Sequence, residues 1–288
     1  MKQLIVNADD FGRSPGVNRG ILETCQKGIV TSTTVMINYP DAPAGLEQAL
    51  ASVPDLGIGL HLNLTSSRPV LPPDQIPSLV NADGQFFHIR EWAQHMEAFE
   101  PDHIRAELVA QFDRFLSLTG RPPDHLDAHH HAIYLHPDAL PVLFEFAQRY
   151  NIPVRDTKLD TPQDDALAQL AYIVPGLPDF AARTLIERLR HALDQGPAPF
   201  CPARLEMNFY GERATLGDLL VILTNLPDNR PTELMCHPGY VDEVLGTSGY
   251  VHEREDEIAH LTHPATLECI RSEGIELITF GDLSRSAV

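Results

Sequence analysis

Short apolar runs of strand length alternate with amphipathic helical patterns along this chain, and that alternation limits the fold more than any other feature. Strand-like runs stand at 3–8, 57–64, 125–129, 152–155, 204–208, 232–237 and 275–279, with weaker candidates at 29–36 and 171–174. Between them, residues 101–119 set Ile104, Leu108, Phe112, Phe115 and Leu116 on one face, Gly120 follows as a cap, and Pro122 and Pro123 bar continuation. Residues 137–150 and 255–273 carry similar stripes. Repeated strand–helix units imply a mostly parallel sheet, open or closed, and eight or nine strand candidates favour a barrel. A barrel accommodates 288 residues as one domain over 1–288. The rhythm breaks once, at about 66–88, where Pro69, Pro72, Pro73 and Pro77 interrupt any helical stripe. A connection of that length is either a lid or binding loop, or an ordered surface meander.

The first strand ends in chemistry. In MKQLIVNADDFG, Leu4, Ile5 and Val6 read as a strand covered on both faces, and Asp9 and Asp10 fall where it stops. One aspartate could cap the next helix while the other is solvated. In α/β folds, however, the carboxyl ends of strands are where reactive groups gather. Three more segments end in the same way. GIGLHLNL carries His61 among apolar residues. DHLDAHHH carries Asp127, His129 and His131, which share one face at strand period, with His130 opposite. MCHPGY holds His237 at a strand tip ahead of a Pro–Gly turn. Fourteen histidines exceed what such a chain needs for structure.

Composition removes several alternatives. A formal charge of −19, from 40 acidic and 21 basic residues, argues against nucleic acid or an anionic membrane as partner. No stretch approaches the ~18 apolar residues of a membrane span, and no signal-peptide pattern opens the chain. Cys25, Cys201, Cys236 and Cys269 are scattered without a CxxC, as free thiols of a cytoplasmic protein would be.

One carboxylate with two imidazoles forms a hard-to-borderline ligand set for a divalent metal such as Zn²⁺ or Mg²⁺, with positions left open. Such a metal polarises a carbonyl and acidifies water; a second carboxylate takes the water's proton and an opposed histidine protonates a leaving amine. Asp9, Asp10, His61, His129 and His237 supply these groups. The expectation is metal-assisted hydrolysis of an amide or ester.

The motifs VNADDFG, KGIVTSTTVMIN, GIGLHLNLT, LDAHHH and ELMCHPGY occur in that order, and REDEIAHL and GIELITF follow them. Together they resemble the YdjC family of carbohydrate deacetylases over nearly the whole chain. The resemblance implies a distorted TIM-like (β/α) barrel, one divalent metal (Mg²⁺ or Zn²⁺), a homodimer, and removal of N-acetyl groups from N-acetylglucosamine-containing or similar acetylated saccharides. It implies Asp10, His61 and His129 as metal ligands, Asp9 as the base, and His237 as the acid. His131 in place of His129 stays open, since both share a strand face. Asp127 is expected to fix an imidazole tautomer. Arg155 orients the base, binds substrate, or forms a surface salt bridge. One departure stands out: many relatives resemble HHHVHxxP, whereas this chain reads HHHAIYLHP, which places Ile133 and Tyr134 near the pocket wall. The alternatives are a metallohydrolase of another amide or a phosphoester, and a saccharide-binding protein without activity. No Gly-rich phosphate cradle favours the phosphoester.

Overall fold

The computed structural model describes residues 1–156, 167, 177–195, 200–247 and 249–285. The weak strand candidate at 171–174 lies outside them. Strands β1 (Gln3–Phe11), β2 (Ser32–Val35), β3 (Gly57–Leu62), β4 (Leu126–Ala128), β5 (Arg204–Glu206), β6 (Thr232–Cys236) and β7 (Glu276–Leu277) form one sheet. Every pairing is parallel, in the order β4-β3-β2-β1-β6-β5, and β7 joins the start of β1. Leu4, Ile5 and Val6 are wholly buried, as a strand covered on both faces requires.

Residues 152–155, expected as a full strand, are reduced to a single bridge, Leu126 with Val154. Pro153 has no N–H to offer a ladder. The bridge still closes the circuit. Leu126 N–H donates to Pro153 O (2.9 Å), Arg155 N–H to Leu126 O (3.0 Å), and Val154 N–H to Phe200 O (2.8 Å), just ahead of β5. The sheet thereby curls into a distorted barrel with one weak seam.

Helices α1 (Pro15–Lys27), α2 (Ala42–Ser52), α3 (Ile89–His95), α4 (Pro101–Thr119), α5 (Ala139–Tyr150), α6 (Asp179–Gln195), α7 (Leu216–Thr224), α8 (Glu253–Leu261), α9 (Pro264–Ser272) and α10 (Phe280–Arg285) accompany the sheet. The helix expected at 101–119 is α4, with Ile104, Leu108, Phe112 and Phe115 buried and Gly120 at φ 69°. The one helix expected at 255–273 is two, α8 and α9. Pro264 cannot continue a helix, so His263 turns extended and its ring accepts a hydrogen bond from Ala265 N–H (3.1 Å). Among the described residues, no helix is long and apolar enough to cross a membrane.

The stretch at 66–88 is an ordered meander. Short turns at Pro73–Gln75 and Pro77–Leu79 lead to a Val80–Phe86 bridge, and Ile76, Leu79 and Phe86 are buried. Glu107 of α4 pins it by accepting from Val70 and Leu71 N–H (2.9 and 3.0 Å).

Candidate active site at the strand ends

A cavity of about 610 Å³ opens at the carboxyl ends of β1, β3, β4 and β6, lined by Asp9, Asp10, His61, His129 and His237. Ser66, Gln85 and Phe86 of the 66–88 meander form part of its wall. Two adjacent aspartates reach it because β1 does not stop before them, as its sequence suggested; it continues to Phe11. Ala8 pairs with Thr33 but Phe11 with Val35, so β1 carries one extra residue there. Asp10 takes φ 73° within this bulge. Regular pleating would send neighbours to opposite faces, and the bulge cancels that alternation.

Asp10 Oδ1 is buried, and among the described residues no donor meets it with hydrogen-bond geometry. It lies 3.6 Å from His61 Nε2 and 3.1 Å from His129 Nδ1, and these two nitrogens are 3.3 Å apart. The far side of each ring is already engaged: His61 Nδ1 with Asp127 Oδ1 at 2.6 Å, and His129 Nε2 with Ser66 Oγ at 3.1 Å. One oxygen and two nitrogens thus converge with lone pairs to spare, which is the donor set a divalent cation takes. His131 does not join them. Strand β4 ends at Ala128, and His130 and His131 adopt φ 51° and 54° in the turn that follows. The period-two pattern that made His131 equivalent to His129 is therefore absent, although His131 still lines the cavity.

Arg155 is fully buried, which excludes the surface salt bridge. Its Nη1 and Nη2 donate to Asp9 Oδ2 and Oδ1 (2.8 and 2.6 Å), its Nε donates to Glu233 (2.8 Å), and Nη2 lies 3.0 Å from Asp127. Burial alone would raise the Asp9 carboxyl, but this guanidinium overrides it and holds the group far below the usual carboxylate range. Glu233, with Oε2 unpaired, is pushed up to about 7 by burial. His237 Nε2 lies 3.9 Å from Asp9 Oδ2. Its ring meets Tyr210 and Tyr250 edge-on, and burial pulls its pKa down to about 4.

Several contributors escaped the sequence reading. Thr34 of β2 donates to Asp127 Oδ2 (3.0 Å), and it lies inside the KGIVTSTTVMIN motif. Arg254 of α8 opens the REDEIAHL motif; it donates to Asp10 Oδ2 (2.5 Å) and to Tyr250 O (3.2 Å). Arg13 approaches the same Asp10 oxygen at 3.2 Å. Glu257 accepts from His237 N–H (2.5 Å) and from Tyr250 Oη. The departure at HHHAIYLHP does not reach the pocket: Ile133 and Tyr134 are buried in the core and neither lines the cavity.

The family model described as YdjC-like protein matches residues 3–272. A carbohydrate deacetylase of Geobacillus stearothermophilus is 35% identical over 277 residues, covering 96% of each chain. A chitooligosaccharide deacetylase of Serratia marcescens is 36% identical over 290 residues, covering 98% of this chain and 99% of its own. A crystal structure from Enterococcus faecalis V583, described as a candidate cellobiose-phosphate cleavage protein, superposes with a TM-score of 0.79 at 30% identity and covers 98% of both chains.

Proposed function

Because the chain belongs to the YdjC-like protein family, we propose that it is a metal-dependent hydrolase that removes N-acetyl groups from acetylated saccharides, N-acetylglucosamine oligosaccharides such as diacetylchitobiose included. The deacetylase relatives support the substrate class. The observation that carries the chemistry is the convergence of Asp10 Oδ1 with His61 Nε2 and His129 Nδ1, with Asp9 and His237 alongside.

In this reading Asp10, His61 and His129 hold one divalent cation, Mg²⁺ or Zn²⁺. Bound there, it polarises the acetyl carbonyl and acidifies a neighbouring water. Asp9, kept ionised by the Arg155 fork, takes the proton of the attacking water. His237 delivers a proton to the nitrogen as the C–N bond breaks, so that acetate and a free amine leave. A resting imidazolium at His237, the simplest form of this role, does not suit its burial, which favours the neutral ring. Asp9 Oδ2 lies 3.9 Å from His237 Nε2, beyond direct hydrogen-bond reach, so in this reading the two close to contact before the proton taken from water passes to His237 and then to the amine. Asp127 holds Nδ1 of His61 and so directs Nε2 at the cation.

The same reading carries a cytoplasmic homodimer, on the family resemblance and the four free thiols. Light scattering would then give a mass near twice 32.0 kDa. The test of function is acetate release from a panel of N-acetylated saccharides by chelator-stripped protein, with and without added divalent metal. Metal-dependent acetate from any member is expected; silence across the panel from folded protein would overturn the deacetylase reading.

A further inference from the structure

A second polar chain runs under the site and serves none of the roles above. Asp124 Oδ1 lies 2.5 Å from His125 Nδ1, and His125 Nε2 lies 3.0 Å from Asn7 Oδ1. Asn7 Nδ2 then donates to Asp9 Oδ1 at 2.9 Å. His125 and Asn7 are fully buried, and the imidazole stacks on Phe280 at 4.1 Å between centroids. The glycines of GIGLHL make room for this chain. A Cβ on Gly57 would sit 2.5 Å from Asp124 Oδ2, and one on Gly59 would sit 2.5 Å from His125 Cε1.

The ends of the chain dictate its polarity. Asp9 is a carboxylate under the Arg155 fork, so the Asn7 group facing it must be the donor, Nδ2. The amide oxygen then faces His125, whose Nε2 must donate. Asp124 Oδ1 faces the other ring nitrogen. Asp9 is left asymmetric as a result. Among the described residues, its Oδ1 receives Arg155 Nη2 and Asn7 Nδ2, at 2.6 and 2.9 Å, with Thr34 Oγ1 at 3.5 Å, whereas Oδ2 receives Arg155 Nη1 alone, at 2.8 Å, and looks toward His237.

We propose that Asp124, His125 and Asn7 form a positioning chain that saturates Asp9 Oδ1 and thereby reserves Oδ2 as the oxygen that takes the proton from water. The proposal rests on the reading of Asp9 as the base. None of the three residues touches substrate; they act through Asp9.

The test is a double-mutant cycle between the chain and Asp9, with Asn7→Ala, His125→Gln and the partly exposed Asp124→Asn entering the chain at separate points. Each single variant is expected to lower kcat about 3- to 30-fold, with KM and the metal Kd within twofold of wild type. In the Asp9→Asn background the second substitution is expected to cost nothing further. Equal losses in both backgrounds, or KM and metal Kd rising together with the fall in kcat, would mean a general structural role and overturn the proposal. Unchanged kcat in all three singles would also overturn it. If Asp9→Asn itself keeps full turnover, the reading of Asp9 as base fails instead. Should Asp9→Asn have no measurable turnover, the split between kcat, KM and metal Kd in the single variants decides. A variant that does not fold is recognised by its melting curve, and the other two then carry the test.

Discussion

At the residue scale the site is a set of buried charges that hold one another in place. Arg155 meets Asp9, Glu233 and Asp127 at once, so its loss strands several carboxylates together. Replacing it with Met is expected to destabilise the fold by about 3–5 kcal/mol in urea unfolding, because uncompensated buried charge is worse than no pair at all. Arg155→Lys keeps the charge but not the two-pronged grip on Asp9, and turnover is expected to fall while the protein stays folded. Asp127→Asn should weaken metal binding ~10–100-fold by calorimetry, since His61 Nδ1 loses its carboxylate acceptor. The groups at strand ends were legible in the sequence: the pair Asp9 and Asp10, His129 of the triple histidine, and the single histidines His61 and His237. Thr34, Glu233 and Arg254 were not. Nothing in the residue type or spacing of these three marks them, and Arg254 meets Asp10 across 244 positions of chain. Only the fold brings them together.

At the element scale, most strands and the long helix α4 followed from periodicity, because that signal is local. The exceptions are places where a local device overrides the period. The bulge in β1 lets two neighbours face one cavity, and nothing in the residue types ADD announces an extra residue in a ladder. Pro264 splits a stripe that otherwise reads as one helix. Gly12, next to the bulge, takes φ 89°, and a Cβ there would lie 2.7 Å from Ala42 Cβ at the start of α2. Gly12→Ala is expected to cost about 2–4 kcal/mol from backbone strain and overlap together; thermal or urea unfolding reads it. His136 gives a pH test between elements. Its Nε2 lies 3.0 Å from Met96 O, just past α3, and its Nδ1 accepts from Asp138 N–H (3.2 Å), just ahead of α5. Burial holds its pKa below the ordinary 6.5. The unfolded chain therefore takes up a proton that the folded chain refuses. The contribution is complete above about pH 6.5 and erodes as pH falls. The stability gap between wild type and His136→Gln should narrow from pH 7.5 to 5.5, and a constant gap would refute the assignment.

At the scale of the whole molecule, a parallel barrel brings the ends of distant strands to one mouth, and so residues between 9 and 237 share one cavity. The alternation of elements was enough to anticipate this. The weak closing seam at Val154 was not, since it depends on a proline that blocks pairing at one position only. If the cation site is as read, a divalent metal at 100 times its Kd should add about 2.7 kcal/mol to stability, and a chelator should remove it. Asp10→Asn should show little of that increment. The division of labour between the two adjacent aspartates is the centre of the account. It is tested most directly by titrating Asp9→Asn with divalent metal while following acetate release from an N-acetylated saccharide. Metal is expected to bind with an affinity close to that of wild type while turnover falls at least ~100-fold. Undiminished turnover, or a metal affinity lost along with it, would contradict the account.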